Sequence, residues 1–184
     1  MWKENSTILA IAALLSIGLS FSFSGGEISL RLQKKIDAAI RSTYEVDNVK
    51  LKSITVPLDV NSATPADFTD NRLFEIHSGS NLIGYLYVGE AASMKRKFDY
   101  ILMFHTDFTI KKSKVLIYRE EHGKQIGSQR WLKQFIGLSF GDVLTYGDNI
   151  DAISGATISA SNMTKAVGDV LKSIQILKEK EAIK

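Results

Sequence analysis

The sequence predicts an α+β domain, a mainly antiparallel sheet of about four to six strands with helices packed against it. Three observations carry this. Met163, Ala166, Val167, Val170, Leu171 and Ile174 follow the i, i+3, i+4, i+7 rule without a gap, so the chain closes on a long amphipathic helix. Leu30, Gln33, Ile36, Asp37, Ile40 and Tyr44 keep helical spacing near the start, with Lys34, Lys35 and Arg41 on other faces. Between them, Leu73–His77 and Leu82–Val88 are β-rich runs separated by Ser-Gly-Ser-Asn, the signature of a hairpin.

The elements follow in order. Ser29 to Thr43 reads as a helix capped by the Ser29 hydroxyl. Val49 to Val56 reads as a strand ended by Pro57, and Asn61 to Asp70, rich in Asn, Ser, Thr, Asp and Pro, as a loop. After the hairpin, Asp99–Asp107 and Lys114–Arg119 read as strands joined by a turn at Thr109–Ser113. Gly123–Gly127 is a loop, and Gln129–Ile136 a short helix carrying Trp131, Leu132 and Phe135. Gly137–Asp151, with three glycines, is mostly loop. The last helix starts near Ser159, and the charged tail from Lys178 is expected to fray.

Composition excludes several functions. The chain has 184 residues and no cysteine. A disulfide framework, a thiolate metal site, a cysteine nucleophile and a lipid on an N-terminal cysteine are all ruled out. The net charge of +3 is too mild to argue for nucleic acid. His77, His105 and His122 are far apart and lack ligand spacing.

Ile8 to Phe23 carries no charge. Its length is at the short end for a bilayer span and fits the apolar core of an export signal, with Ser22 and Ser24 as the small residues before a cut after Ser24. A cleaved signal is the first reading, an uncleaved anchor the second and a buried helix the third. Arg31, Lys34, Lys35 and Arg41 follow the stretch while only Lys3 precedes it, which by the positive-inside rule counts against an anchor with its C-terminal flank outside. The chain thus divides into a leader or anchor (1–24), an N-terminal helix and first strand (25–70), the main domain (71–178) and a charged tail (179–184).

One segment carries chemistry: Asp151-Ala-Ile-Ser154-Gly155-Ala156-Thr157-Ile-Ser159, entering the last helix. A glycine among small residues lets the backbone turn tightly and lets a bulky group approach. The first N–H groups of a helix lack intrahelical partners, and their dipoles favour an anion. Ser154, Thr157 and Ser159 add hydroxyls. This is a seat for a phosphate. By general frequency the commoner role of such a segment is an ordinary cap, with a Ser or Thr hydroxyl closing the helix.

Asp-x-x-Ser-Gly-Ala-Thr resembles the flavinylation motif of the FMN-binding domain family, which includes the C subunit of the sodium-pumping NADH:quinone reductase and the G subunit of the Rnf complex. The resemblance implies that Thr157 carries FMN through a phosphodiester bond, made from FAD by a separate flavin transferase with release of AMP. It implies that Asp151, Ser154, Gly155 and Ala156 form the part the transferase reads. A second segment, Glu120-Glu121-His122-Gly123 followed by Trp131 and Phe135, is similar to the family's Glu-Thr-x-Gly loop beside the flavin, with Glu121 where Thr is usual. Gly84-Tyr85 matches the family's Gly-Tyr strand start. Candidate cofactor-binding residues are therefore Thr157, Asp151, Ser154, Gly155, Ala156, Ser159, Glu120, Gly123 and Trp131. Tyr118 and Phe135 are further aromatic candidates for packing on the ring, against plain core packing as the commoner role.

Members of that family are modified and used outside the cytoplasm. The resemblance thus implies an exported or membrane-tethered electron carrier, a redox component rather than a stand-alone enzyme, with redox partner proteins such as a membrane electron-transport complex. The alternatives are a flavin-dependent reductase of a small molecule or quinone, and a non-redox binding module of the same fold. No Gly-x-Gly-x-x-Gly follows a strand, which disfavours direct oxidation of NADH. Thr157 has no histidine base beside it in sequence, so modification by an outside enzyme explains the site better than a triad. Lys95-Arg96-Lys97 reads first as a solvated run and second as a docking patch for an acidic partner.

Overall fold

The computed structural model describes residues 29–183. The uncharged stretch 8–23 and the cut after Ser24 lie outside the described residues. Among the described residues no helix is long and apolar enough to cross a membrane.

Five strands form one antiparallel meander in the order β1-β2-β3-β4-β5. They are β1 (Lys50–Ser53), β2 (Leu73–Ser78), β3 (Asn81–Ala92), β4 (Lys97–Phe104) and β5 (Ile110–Ile117). Helix α1 (Leu30–Tyr44) precedes the sheet, and the single-turn helix α2 (Leu58–Asn61) lies between β1 and β2. After β5 come a 3-10 turn (Lys124–Gly127), α3 (Gln129–Leu132), a second 3-10 turn (Lys133–Phe135) and the long α4 (Thr157–Glu179). The α+β reading holds.

The sheet is the middle of three layers, which explains its sequence. Phe98, Tyr100, Leu102 and Phe104 of β4 face a core closed by Met163, Val167, Val170, Leu171 and Ile174 of α4. Ile101 and Met103, on the other side of the same strand, face a core closed by Leu32, Ile36 and Ile40 of α1. A central strand covered on both faces loses the apolar–polar alternation of a half-exposed one. Hence Tyr100–Phe104 reads as one continuous apolar run.

Local chemistry places the ends of α1. The Ser29 side chain accepts a hydrogen bond from the Leu32 N–H at 3.3 Å, and Glu45 closes the helix in the left-handed region at φ 55°. At its far end the Tyr44 hydroxyl donates to the Phe104 carbonyl at 2.6 Å. That reach requires Gly84, where a Cβ would lie 2.2 Å from the Phe104 oxygen and 2.5 Å from the Tyr44 hydroxyl oxygen. The same burial pushes the Tyr44 phenol well above its usual range.

Three sequence expectations shift. The first strand is only Lys50–Ser53, because beyond it the chain turns at Pro57 into α2. Gly84 sits inside β3 rather than at a strand start. The β4–β5 turn falls at 105–109, not 109–113: Phe108, at φ 65°, is fully buried and stacks on Tyr85 at 4.0 Å, while Asp107 accepts the Thr109 N–H. Lys111 and Lys112 read as turn residues but lie along β5 with Lys114, where long stems cover the sheet and keep their charged ends outward. Lys111 Nζ sits 5.5 Å from the centre of the Tyr44 ring.

Placing a methyl at Gly84 drives it into a backbone oxygen that cannot move alone. The Gly84→Ala variant is expected to lose about 2–3 kcal/mol of stability in urea unfolding. A change within about 0.5 kcal/mol would contradict this packing.

Candidate functional site

Three segments meet at one end of the sheet. The β3–β4 turn brings residues 94–96, the exit of β5 brings 118–122, and the start of α4 brings 155–159. Together they line an open cleft of about 660 Å³. That volume is in the range of cofactor sites.

Two glycines let the walls approach. Gly155, at φ 76°, turns the chain into α4, and Gly123, at φ 80°, turns it away from β5. A Cβ on Gly123 would lie 2.7 Å from the Tyr118 hydroxyl oxygen and 3.3 Å from the Gly155 carbonyl oxygen. So the two motif segments, about thirty residues apart in sequence, abut backbone to backbone. Beneath them Tyr118 and Ser159 share a hydrogen bond of 2.9 Å.

The start of α4 is not closed by a hydroxyl. Its N-cap is the buried Ala156, which offers no side-chain bond, and the first-turn N–H groups have no carbonyl a turn behind them. Ser159, expected to add a donor to an anion, is buried and engaged with Tyr118. Thr157 differs from both. It is exposed, lines the cleft, and its hydroxyl makes only a long 3.5 Å contact to the Ile153 carbonyl. The segment thus presents one accessible hydroxyl beside a set of uncapped N–H groups.

Glu120 lines the cleft and also braces its wall. One carboxylate oxygen accepts from Ser93 Oγ at 2.6 Å, Lys95 N at 2.7 Å and Arg96 N at 2.8 Å. Glu120 therefore ties the exit of β5 to the β3–β4 turn and sets that wall. The Ser93 hydroxyl, with the Lys95 and Arg96 amides, holds its carboxyl below the usual range. Arg119 beside it pairs with Asp99 at 2.6 Å and bonds the Lys97 carbonyl. Burial pushes the Asp99 carboxyl up, and Arg119 opposes that rise.

Trp131 and Asp151 lie behind the cleft. The Trp131 indole is buried, packs edge-on to Phe135 at 5.2 Å and donates to the Asp151 carbonyl at 2.7 Å. The Asp151 N–H donates to Gln134 at 2.9 Å. Trp131 thus anchors the loop that delivers Thr157. The side chains of Asp151 and Ser154 remain exposed on that loop.

The residues suit FMN. An anion at Thr157 meets the uncapped N–H groups of α4 with Lys95 and Arg96 on the facing wall. Met94, Ile158 and Tyr118 provide apolar and aromatic surface for a flat ring system. Sequence reasoning missed Met94 and Ile158 as lining residues, and read Lys95 and Arg96 first as a solvated run. Only the pairing of β3 with β4 shows that this run is a hairpin turn at the mouth of a cleft.

Residues 94–172 match the family model described as the FMN-binding domain. The match begins at the first lining residue of the cleft and includes the last. Among solved structures the chain is similar to the crystal structure of Shewanella oneidensis NqrC, with a TM-score of 0.57 and 15% identity over 83% of this chain and 99% of that one. No match emerges among curated proteins.

The depressed carboxyl of Glu120 fixes the sign of its pH dependence. Its clamp is at full strength above the usual carboxylate range and is lost only as pH falls through the lowered value. Hydrogen exchange at Lys95 and Arg96, corrected for intrinsic rate, should stay flat from neutral pH down to that range. Glu120→Ala should speed it by roughly tenfold at neutral pH, with Glu120→Gln recovering part of the protection. Unchanged exchange in the alanine variant would remove the clamp from the account.

Proposed function

We propose that the chain is an electron carrier that holds FMN covalently, through a phosphodiester bond to Thr157, and works on the outer side of the cytoplasmic membrane. A flavin transferase attaches the cofactor, and the carrier exchanges electrons with partner proteins of a membrane electron-transport complex. The observation that carries this reading is the Thr157 hydroxyl, exposed in the wall of the cleft on the uncapped first turn of α4. An exposed hydroxyl on a motif loop is open to an enzyme working from outside. The family resemblance of the Asp-x-x-Ser-Gly-Ala-Thr motif supports the bond type, and the apolar stretch 8–23 supports export or tethering.

FMN, when bound, supplies the redox chemistry. The chain supplies position and field. The N–H groups at the start of α4 stabilise the phosphodiester charge, and Lys95 and Arg96 add to them across the cleft. Tyr118, tied to Ser159, would give the ring system a fixed aromatic neighbour, and Ile158 would add apolar surface beside it. The exposed Asp151 and Ser154 remain free for the transferase to read.

Co-expression with a flavin transferase, followed by a denaturing gel, tests the assignment. Flavin fluorescence should travel with the chain. It should disappear in Thr157→Ala and persist in Ser154→Ala and Ser159→Ala, though at reduced yield. Fluorescence retained by Thr157→Ala after denaturation would sink the acceptor assignment.

A further inference from the structure

The route of α1 relative to the cleft has a consequence for where the domain sits. Lys35 Nζ donates to the Leu116 carbonyl at 2.7 Å, near the end of β5, while Tyr44 bonds the Phe104 carbonyl at the opposite end of the sheet. So α1 runs antiparallel to β5 and begins at the end where β5 opens into the cleft. Ser29 lies six residues after Phe23. An extended chain of that length spans at most about 20 Å. The uncharged stretch therefore joins the domain at its cleft end, however that linker runs.

The same end carries exposed apolar side chains. Leu30, in the first turn of α1, is 76% exposed, and Met94, at the tip of the β3–β4 turn, is 71% exposed. Ile158 is 46% exposed beside them on the cleft wall. Around them stand cations. Lys97 pairs with Glu90, and Arg119 with Asp99. Arg31, Lys34, Lys95 and Arg96 make no ion pair within 4.0 Å among the described residues, though the Lys95 charge acts on Glu120. Glu120 spends its charge on the turn's own N–H groups, which leaves Glu121 as the exposed, unpaired carboxylate on the cleft rim.

We infer that this end of the domain rests on an anionic phospholipid surface, with Met94 and Leu30 dipping among the headgroups and Arg31, Lys34, Lys95 and Arg96 on the phosphates. The inference rests on the tethered form of the proposed function, and it adds the orientation: the cleft opens toward the membrane. Exposed apolar tips ringed by lysine and arginine are the chemistry of interfacial binding. Each basic residue near an anionic leaflet adds attraction that fades within a Debye length. The seat also gives a role to the basic residues that follow the stretch and that the positive-inside rule leaves unexplained. A covalent FMN in the cleft would then face electron donors or acceptors within the membrane.

The chain has no cysteine, so a single introduced one can be labelled cleanly. The full chain, kept free of flavin, is reconstituted through residues 8–23 into nanodiscs of phosphatidylglycerol or of phosphatidylcholine. An environment-sensitive label is placed at Met94→Cys, or at Ser80→Cys in the β2–β3 turn at the opposite end. In phosphatidylglycerol the label at position 94 should be several-fold less accessible to an aqueous quencher than the label at position 80. The protection should fall in phosphatidylcholine, in high salt, and in a Lys95→Glu, Arg96→Glu variant. Equal accessibility at both positions overturns the inference, as does protection that ignores lipid charge. Protection at position 94 that arises only on adding a partner protein overturns it in favour of a protein interface. Because no flavin is present, failure here leaves the Thr157 assignment standing, and failure of that assignment leaves this result intact.

Discussion

The cleft depends on the contact between two glycine turns. Gly123 brings the segment after β5 against the carbonyl of Gly155, leaving no space for a Cβ between that segment and the Tyr118 hydroxyl. A side chain at position 123 would separate the segments and also violate the positive φ there. With the separation would go the Tyr118–Ser159 bond, the placement of Ala156 as a buried cap and the exposure of Thr157 on the opening turn. The chemistry proposed for Thr157 thus follows from a backbone constraint 34 residues upstream.

The rest of the molecule holds those turns still. The cleft sits at the end of a sheet buried on both faces, with α4 closing one core and α1 the other. Two ties link the cleft's loops to that frame. Glu120 fastens the β3–β4 turn to the end of β5, and Trp131 fastens the Asp151 loop to α3. Both residues looked like direct cofactor ligands by family resemblance. In the structure each also braces the backbone that carries residues lining the cleft, and Glu120 lines it as well. This is the usual division between a rigid scaffold and loops that bind.

Much of this was legible in the sequence. The amphipathic stripe of α4 and the Ser29 cap of α1 are local and strong, and both stand. The hairpin at Gly79 was readable from turn chemistry alone. The β4–β5 turn was not, because it rests on a buried Phe108 at positive φ, an arrangement that tertiary stacking on Tyr85 imposes. The motif at Thr157 was visible as a motif, but its capping residue was not: a Ser or Thr cap is the local preference, and the helix begins on Ala156 instead. The facing wall was hidden for a different reason. Met94, Lys95 and Arg96 are unremarkable as sequence and become a wall only through the register of β3 with β4.

The central claim is a covalent bond at one hydroxyl, and a tandem mass spectrum of the peptide spanning residues 134–165 tests it most directly. Cleavage after Lys133 and Lys165 releases that peptide from protein purified from its native host, or from cells that also make a flavin transferase. The account predicts an added mass of FMN less one water, with fragment ions placing it on Thr157. An unmodified peptide under those conditions, or the same mass on Ser154 or Ser159, would contradict it.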